Sequence, residues 1–594
     1  MTAAVNSVAG KTDLAPESAA RRWLAMTGLV AAIMLAYWNS LRTPFLFDDT
    51  GAIVNNPTIR HLWTLDAFTP PADGSTTTGR PLVNFSYALN YAISGERVWS
   101  YHALNIALHA LAALTLFGLV RLTLSRVEGR TLATLSPLER GARQGGVCSA
   151  PTPLAFAIAA LWALHPLQTE TVVCIAQRTE LLSGLFYLLT LYGFVRGTEA
   201  SAAKRRWLAL SVAACLAGMA TKEVMVTAPL VVLLYDRTFV AKASSAAWHA
   251  RRGYYLALAA TWLLLLALLA RAGGARGASA GFGLGVSWWN YLLTQCDALT
   301  LYLKLAVCPH PLVLDYGTAV AQSLAEVWRQ GLIVLALLAT TVWALVRKPV
   351  LGFAGAWFFV ILAPSSSFVP LVTQTIAEHR MYLPLAAVLA AVASAAHRWL
   401  GSRPALALLA FVALACGSAT IARNRDYASA LVLWQDNVAH RPHARVLTAL
   451  GVELIHAGRA REALPLFERA LVLDPTHLSA QRNRALALLQ LGRADEAAAI
   501  FAALPGREPG EAEEYFAMGN AFAREQKFPE AAAAYTRTLT LVPDHAAAHA
   551  NLGNIRLLQG RVREAIAEYE TVLRLHPDDA RARENLQLAR ESLR

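Results

Sequence analysis

Charge is what this chain has least of. Of its 594 residues, 16% are Asp, Glu, Lys or Arg and 56% are hydrophobic, whereas a soluble domain carries about 25% charged residues. The deficit lies in residues 22–421, where long apolar runs follow one another; residues 422–594 have the mixed charge of a soluble domain. This split excludes a single globular domain and indicates one membrane part and one aqueous part. Cysteine is also scarce. The six (Cys148, Cys174, Cys215, Cys296, Cys308 and Cys416) sit mostly in or beside apolar runs and show no CxxC spacing, which excludes a zinc knuckle and a disulfide framework. No small-x-small cleavage site follows the first apolar run, Trp23 to about Leu41, and the run is longer than a signal peptide core, so it reads as an uncleaved first span. The net charge of +13 does not mark a nucleic-acid binder, because the basic residues of the first part cluster between apolar runs, as membrane orientation requires.

What is present is a series of apolar segments: 23–41, 102–124, 152–166, 180–196, 207–221, 223–239, 253–271, 329–346, 351–364, 382–398 and 404–421, about eleven expected spans. With Arg21 and Arg22 inside, the basic connections all fall on that same side: Arg121 to Arg143, Arg196 to Arg206, Arg237 to Arg252, Arg347-Lys348 and His397 to Arg403. This holds if 272–328 stays outside and its apolar piece 288–308 is interfacial or re-entrant. An odd number of spans leaves everything after 421 outside. The expected layout is a cytoplasmic tail 1–22, a membrane domain 23–421 with outer loop 42–101 and outer segment 272–328, and a connector 422–443.

The last part repeats. Gly451, Ala463, Phe467, Ala470 and Pro475 recur 34 residues on as Ala485, Ala497, Phe501, Leu504 and Pro509, then as Gly519, Ala531, Tyr535, Thr538 and Pro543, then as Gly553, Ala565, Tyr569, Val572 and Pro577. Small residues at a helix crossing, an aromatic four residues after the Ala and a Pro at the turn form the tetratricopeptide pattern. Repeats are expected over 444–477, 478–511, 512–545 and 546–579, with 580–594 as a polar capping helix. The fold class expected is therefore all-α: a polytopic transmembrane helical domain followed by an α-solenoid.

The topology sorts the polar residues. Asp48-Asp49, Arg80, His102, His165, Glu170, Arg178, Glu180, Lys222, Glu223, Glu378 and Arg380 all fall in connections on the outer side. Singly, each has an ordinary reading as a helix cap, an interhelical bond or an ion pair. Together they suit a lipid-linked phosphate, which lies at that depth. Arg and Lys bind phosphate, a carboxylate deprotonates an acceptor hydroxyl, and cations stabilise the departing phosphate. Asp48 or Asp49 fits the base, and Arg178, Lys222 and Arg380 fit the phosphate. Arg80, His102, His165, Glu170, Glu180, Glu223 and Glu378 are expected to support them. No ligand cluster demands a metal, although the acidic pair has the chemistry to hold a divalent ion.

Phe47-Asp48-Asp49 with Asn56-Pro57, Gly79-Arg80-Pro81, Tyr101-His102 with Asn105 and His109, and His165-Pro166 with Glu170 and Arg178-Thr179-Glu180 form an ordered series. It continues through Lys222-Glu223, Tyr235-Asp236, Glu378-His379-Arg380-Met381-Tyr382 and Arg423-Asn424 into the repeats. The series resembles the bacterial relatives of the transmembrane and tetratricopeptide-repeat-containing O-mannosyltransferases, of the C-type glycosyltransferase superfamily. The resemblance implies a polyprenyl-phosphate-sugar donor, a protein Ser or Thr hydroxyl as acceptor, an acidic first outer loop supplying the base, and repeats on the same side as the site. It also implies residence in a bacterial inner membrane with repeats and site in the periplasm. A rival expectation is a non-catalytic scaffold whose periplasmic repeats assemble partners. A transporter is disfavoured, because the polar groups gather at one face and not at the midplane.

Overall fold

The computed structural model describes residues 19–71, 74–133, 151–199, 202–241, 243–272, 281–282, 285–367, 369–504 and 511–593. Among these there is no strand, as expected for an all-α chain. Most of the expected N-terminal tail, the basic residues Arg140 and Arg143 and the repeat residue Pro509 lie outside the described residues. The chain divides into two compact units, 1–433 and 434–594.

The first unit contains α1 (Ala19–Tyr37), α2 (Pro81–Ser94), α3 (Trp99–Ala133), α4 (Pro151–Leu164), α5 (Thr169–Val173), α6 (Arg178–Glu199), α7 (Lys204–Met219), α8 (Ala228–Tyr235), α9 (Ser244–Arg271), α10 (Trp288–Val307), α11 (Leu324–Arg347), α12 (Pro349–Leu362), α13 (Pro384–Leu400) and α14 (Ser402–Asp426). Each of the segments expected as spans lies on a helix. Among the described residues, 7 segments are long and apolar enough to cross a membrane: Ala19–Ser40, Trp99–Gly129, Ile175–Glu199, Glu223–Ala241, Ser244–Arg271, Leu324–Arg347 and Ser402–Asp426. α4, α12 and α13 are shorter apolar helices. α10, expected at the surface, is a 20-residue helix outside that set. This is a multi-pass membrane protein. The expected connector 422–443 is helical through Asp426 and again over Ala430–His440, and the division between the units falls inside it.

Local chemistry sets the helix ends. Pro81, Pro349 and Pro384 open α2, α12 and α13, where a missing N–H costs nothing, and a Ser323–Glu326 capping box opens α11. Several polar groups pair between the helices, as an apolar surround favours. His109 on α3 donates from Nε2 to Ala163 O at 3.0 Å and accepts the Tyr382 hydroxyl at Nδ1, 3.1 Å away. Trp162 Nε1 donates to Tyr382 O at 2.7 Å. Asn424 on α14 donates to Ala36 O and Asn39 Oδ1 at 2.9 and 2.8 Å.

The second unit is a series of helix pairs: Ala444–His456 with Ala460–Leu473, Leu478–Gln490 with Ala494–Ala503, Glu511–Arg524 with Phe528–Leu541, and Ala546–Leu558 with Val562–Leu575, followed by Ala580–Glu591. The small residue at each crossing has a steric cause. A Cβ on Gly519 would lie 2.6 Å from the Tyr535 ring, and one on Gly553 2.8 Å from Tyr569. The turn inside each pair needs a left-handed residue. Gly458, Gly492 and Gly560 supply it with φ of 72°, 73° and 77°; in the third pair Gln526 adopts φ 60°.

Candidate active site

The polar connections of the first unit meet at one end of the bundle. Asp49, in the turn after α1, accepts the main-chain N–H of Ala176, just before α6, at 2.6 Å. Glu170 in α5 bonds His379, just before α13. Glu180, in the first turn of α6, pairs with Lys222, between α7 and α8. Arg80, before α2, lies 3.7 Å from Glu223. The C-terminal ends of α1, α4 and α7 and the N-terminal ends of α6 and α13 thus close on one another.

The two acids of the first loop are not equivalent. Asp49 is fully buried. Its Oδ2 accepts Leu46 N–H at 2.9 Å while its own N–H donates to Leu46 O, also at 2.9 Å. Its Oδ1 takes Ala176 N–H. Burial pushes its carboxyl up to about 7 despite these bonds. Asp48 is half-buried. Inside the locked turn, Phe47 sits at φ 47° with its ring exposed, a left-handed conformation costing a non-glycine residue about 1–2 kcal/mol. Strain of this kind persists where the surroundings over-determine it, and here it immediately precedes Asp48.

Around Arg80, the cation on which Asp48 acts, lie further charged groups. The carboxylates of Glu180 and Asp48 act on the Arg80 guanidinium, which burial lowers to about 10. Arg80 Nη1 donates to Thr76 O at 2.7 Å, and Nε is buried without a protein partner. The Lys222 ammonium pairs with Glu180 Oε1, but burial outweighs that attraction and lowers it to about 8. Glu170, deep behind them, is pushed up to about 8 by burial; it accepts His379 N–H at 3.0 Å and meets His379 Nδ1 at 2.7 Å. The arrangement can deprotonate a hydroxyl at Asp48 and hold an anion at Arg80 and Lys222.

Several expected site residues have other work in this structure. Arg178 is completely buried. Its Nε donates to Asn105 Oδ1, Nη1 to Asn90 Oδ1 and Ser86 O, and Nη2 to Tyr101 O, with the guanidinium 4.7 Å from the Tyr87 ring centre. Nε, Nη1 and Nη2 all donate inside the protein, so Arg178 ties α2, α3 and α6 together. Arg380 is likewise turned to main-chain carbonyls, those of Ser365, Thr375 and Gln374, and holds the loop before it. Glu378, pushed up to about 8 by burial, accepts Val313 N–H and the Tyr316 hydroxyl, each at 2.7 Å. His102 Nε2 donates to Thr43 O at 2.8 Å, fastening the first loop to α3. His165 accepts Leu167 N–H at 3.3 Å and is held neutral by burial, its imidazole lowered to about 4. Of the cations expected at the phosphate, Lys222 lies with Glu180 at this end of the bundle, and Arg80 is its charged neighbour.

His379 is the residue that sequence reasoning left out of the site. It stands between Glu378 and Arg380 in the same connection, and that position was the available signal. Both Asp49 oxygens accept main-chain N–H groups. Among the described residues, no group of three His, Cys, Asp or Glu is placed to hold a metal ion.

Two tetratricopeptide-repeat family models match the chain, one over residues 454–519 and the other over 516–580 and 559–589. The chain is 27% identical over 309 residues to protein O-mannosyl-transferase Tmtc2 of Drosophila melanogaster, covering 49% of this chain and 30% of that one. It is 30% identical over 225 residues to TMTC1 of Mus musculus, covering 35% and 21%. It is 28% identical over 229 residues to TMTC3 of Homo sapiens, covering 36% and 22%. The chain spans less than a third of the length of these curated relatives. It is accordingly a relative of the TMTC protein O-mannosyl-transferases that carries tetratricopeptide repeats.

Proposed function

We propose that this protein is a membrane glycosyltransferase that moves a sugar, with mannose the first to test, from a polyprenyl-phosphate carrier to a Ser or Thr hydroxyl of an exported protein. The observation that carries this reading is the half-buried Asp48 acting on Arg80, with the Lys222–Glu180 pair near the same guanidinium, at one end of a membrane helix bundle. Asp48 takes the acceptor proton. The hydroxyl oxygen forms its bond to the sugar C1 as the C1–O bond to phosphate breaks, and the leaving phosphate carries the electron pair to Arg80 and Lys222. Asp49 is a positioning residue that fixes the turn bearing Asp48. The site faces the outer side of the membrane, as the distribution of basic connections indicates. α14 ends beside Ala36 on α1 and Asn39 in the turn after it, and the repeats that follow it in the chain bind the acceptor or a partner.

Mass spectrometry of exported proteins from cells with and without the gene tests this directly, with loss of one hexose from Ser or Thr peptides expected. In membranes supplied with polyprenyl-phosphate mannose, Asp48→Asn lowers transfer by at least about 100-fold. Full transfer by an Asp48→Asn/Asp49→Asn double variant that still inserts overturns the assignment. The scaffold reading rests on the repeat match alone. It is favoured if residues 434–594, exported by a foreign signal, restore function to a null strain.

A further inference from the structure

Three charged groups from two other stretches of the first unit surround one imidazole. His379 lies in the short helix Glu378–Met381, Glu170 in α5, Glu180 in the first turn of α6 and Lys222 in the turn after α7. Glu170 grips His379 twice, through the main-chain N–H at 3.0 Å and through Nδ1 at 2.7 Å. Across the ring, Nε2 lies 3.9 Å from Glu180 Oε1, the same oxygen that receives the Lys222 ammonium. His379, Glu170 and Glu180 are 6%, 2% and 7% exposed, so bulk water does not stand in for any of these contacts.

A neutral imidazole has one proton for two nitrogens, and the partner of one nitrogen decides where it sits. With Glu170 ionised, the proton is on Nδ1 and Nε2 presents a lone pair to Glu180. With Glu170 protonated, its O–H donates to Nδ1 and the ring proton sits on Nε2, facing Glu180 Oε1. The change takes up one proton: the Nδ1 proton passes to Glu170 and Nε2 gains one from solvent. We propose that His379 is a positioning residue that couples the protonation of Glu170, through its own tautomer, to the Glu180–Lys222 ion pair, and so sets how tightly Lys222 is held back from a donor phosphate. The link to the donor rests on the glycosyl-transfer reading; the tautomer exchange does not.

The charged neighbours define the sense of the effect. Glu180, Glu378, Arg423 and Lys222 act on Glu170, and Lys222, Glu180, Arg380 and Arg80 act on His379. Burial holds the imidazole neutral, lowered to about 3, and lifts Glu170 to about 8, so the carboxyl changes charge near neutrality while the ring does not. Burial pushes Cys174, Tyr302, Tyr316 and Tyr427 upward, and these stay protonated. On the acid side an Nε2–H shares Glu180 Oε1 with Lys222 and loosens the ion pair. On the alkaline side Lys222 alone satisfies that oxygen. Phosphate binding is therefore tighter at low pH.

The test uses the full chain in nanodiscs with 15N-labelled histidine, with the His379 signals assigned by their loss in His379→Gln. Between pH 6.5 and 8.5 the His379 nitrogens exchange tautomer in the wild type. In Glu170→Gln the new amide donates to Nδ1 and freezes the Nε2–H form. Over the same range the affinity for polyprenyl phosphate falls in the wild type by at least about fivefold more than in Glu170→Gln. Adding His379→Gln abolishes the difference between Glu and Gln at 170. A purely structural pair would lower affinity equally at every pH. If neither variant inserts, Lys222→Arg removes the titration of the lysine, and a pH-independent phosphate affinity in that protein overturns the proposal. An unchanging His379 tautomer overturns it as well. A tautomer exchange with phosphate coupling but no sugar transfer would leave this inference standing and remove the transferase reading; transfer without tautomer exchange would do the reverse.

Discussion

Adjacent in sequence, Asp48 and Asp49 have opposite fates. Asp49 is consumed by two main-chain N–H groups, whereas Asp48 remains half-buried beside Arg80. Asp48→Asn is therefore expected to lower transfer by at least about 100-fold. Asp49→Ala strips the partners from two buried N–H groups and costs about 1–3 kcal/mol for each, read as a thermal shift in detergent. Arg178 makes the converse point. Replacing it with Met takes a donor from the carbonyls of Asn105, Asn90, Ser86 and Tyr101, at about 1–3 kcal/mol for each one left unpaired. The expected outcome is a loss of folded protein, with any surviving fraction still binding polyprenyl phosphate; a normal melting curve with phosphate binding lost would restore Arg178 to the site. The sequence places Arg178 in the right connection, but whether a guanidinium is spent or available depends on Ser86, Asn90 and Asn105 in two other helices. No local pattern reports that. The inequivalence of Asp48 and Asp49 is hidden for the same reason, since it depends on Ala176.

At the scale of elements, the repeats were the most legible part. Their period is a local property, and small residues under aromatic rings leave a mark in every copy. The one departure is at the inner turn, where Gln526 takes the left-handed conformation that glycines adopt in the other pairs. Gln526→Gly relieves about 1–2 kcal/mol of backbone strain and gives back about half of it as unfolded-chain entropy. The expected net gain is about 0.5–1 kcal/mol, seen as a higher denaturant midpoint for the second unit. Apolar runs likewise marked the helices of the membrane part. They gave no hint that residues 422–443 are helical, because that stretch is too polar to read as a continuation of α14.

Across the whole first unit, three buried acids share one consequence. Asp49, Glu170 and Glu378 are raised to about 7, 8 and 8. At these acids the folded state thus binds more protons than the unfolded chain between the ordinary carboxylate range and about pH 8. Below the ordinary histidine range this is opposed by the buried imidazoles, which are neutral in the fold and take up protons in the unfolded chain. Above it the acids act alone, and stability falls as pH rises toward about 8. Melting temperature is expected to decline from pH 7 to 8, and Glu378→Gln, which keeps acceptors for Val313 and Tyr316, should flatten the decline. A rising melting temperature over that range would mean that these acids are ionised in the fold.

The bonds that close the site also set a timetable. Asp49 and Ala176 are 127 residues apart, and Glu170 and His379 are 209 apart. At about 5–20 residues per second, a ribosome needs roughly 6–25 s to deliver the first partner and roughly 10–40 s for the second. The loop bearing Asp48 is therefore held only by its own turn and by His102 until Ala176 arrives, and Glu170 waits longer still. A site assembled this late gains its competence only after α13 has been inserted.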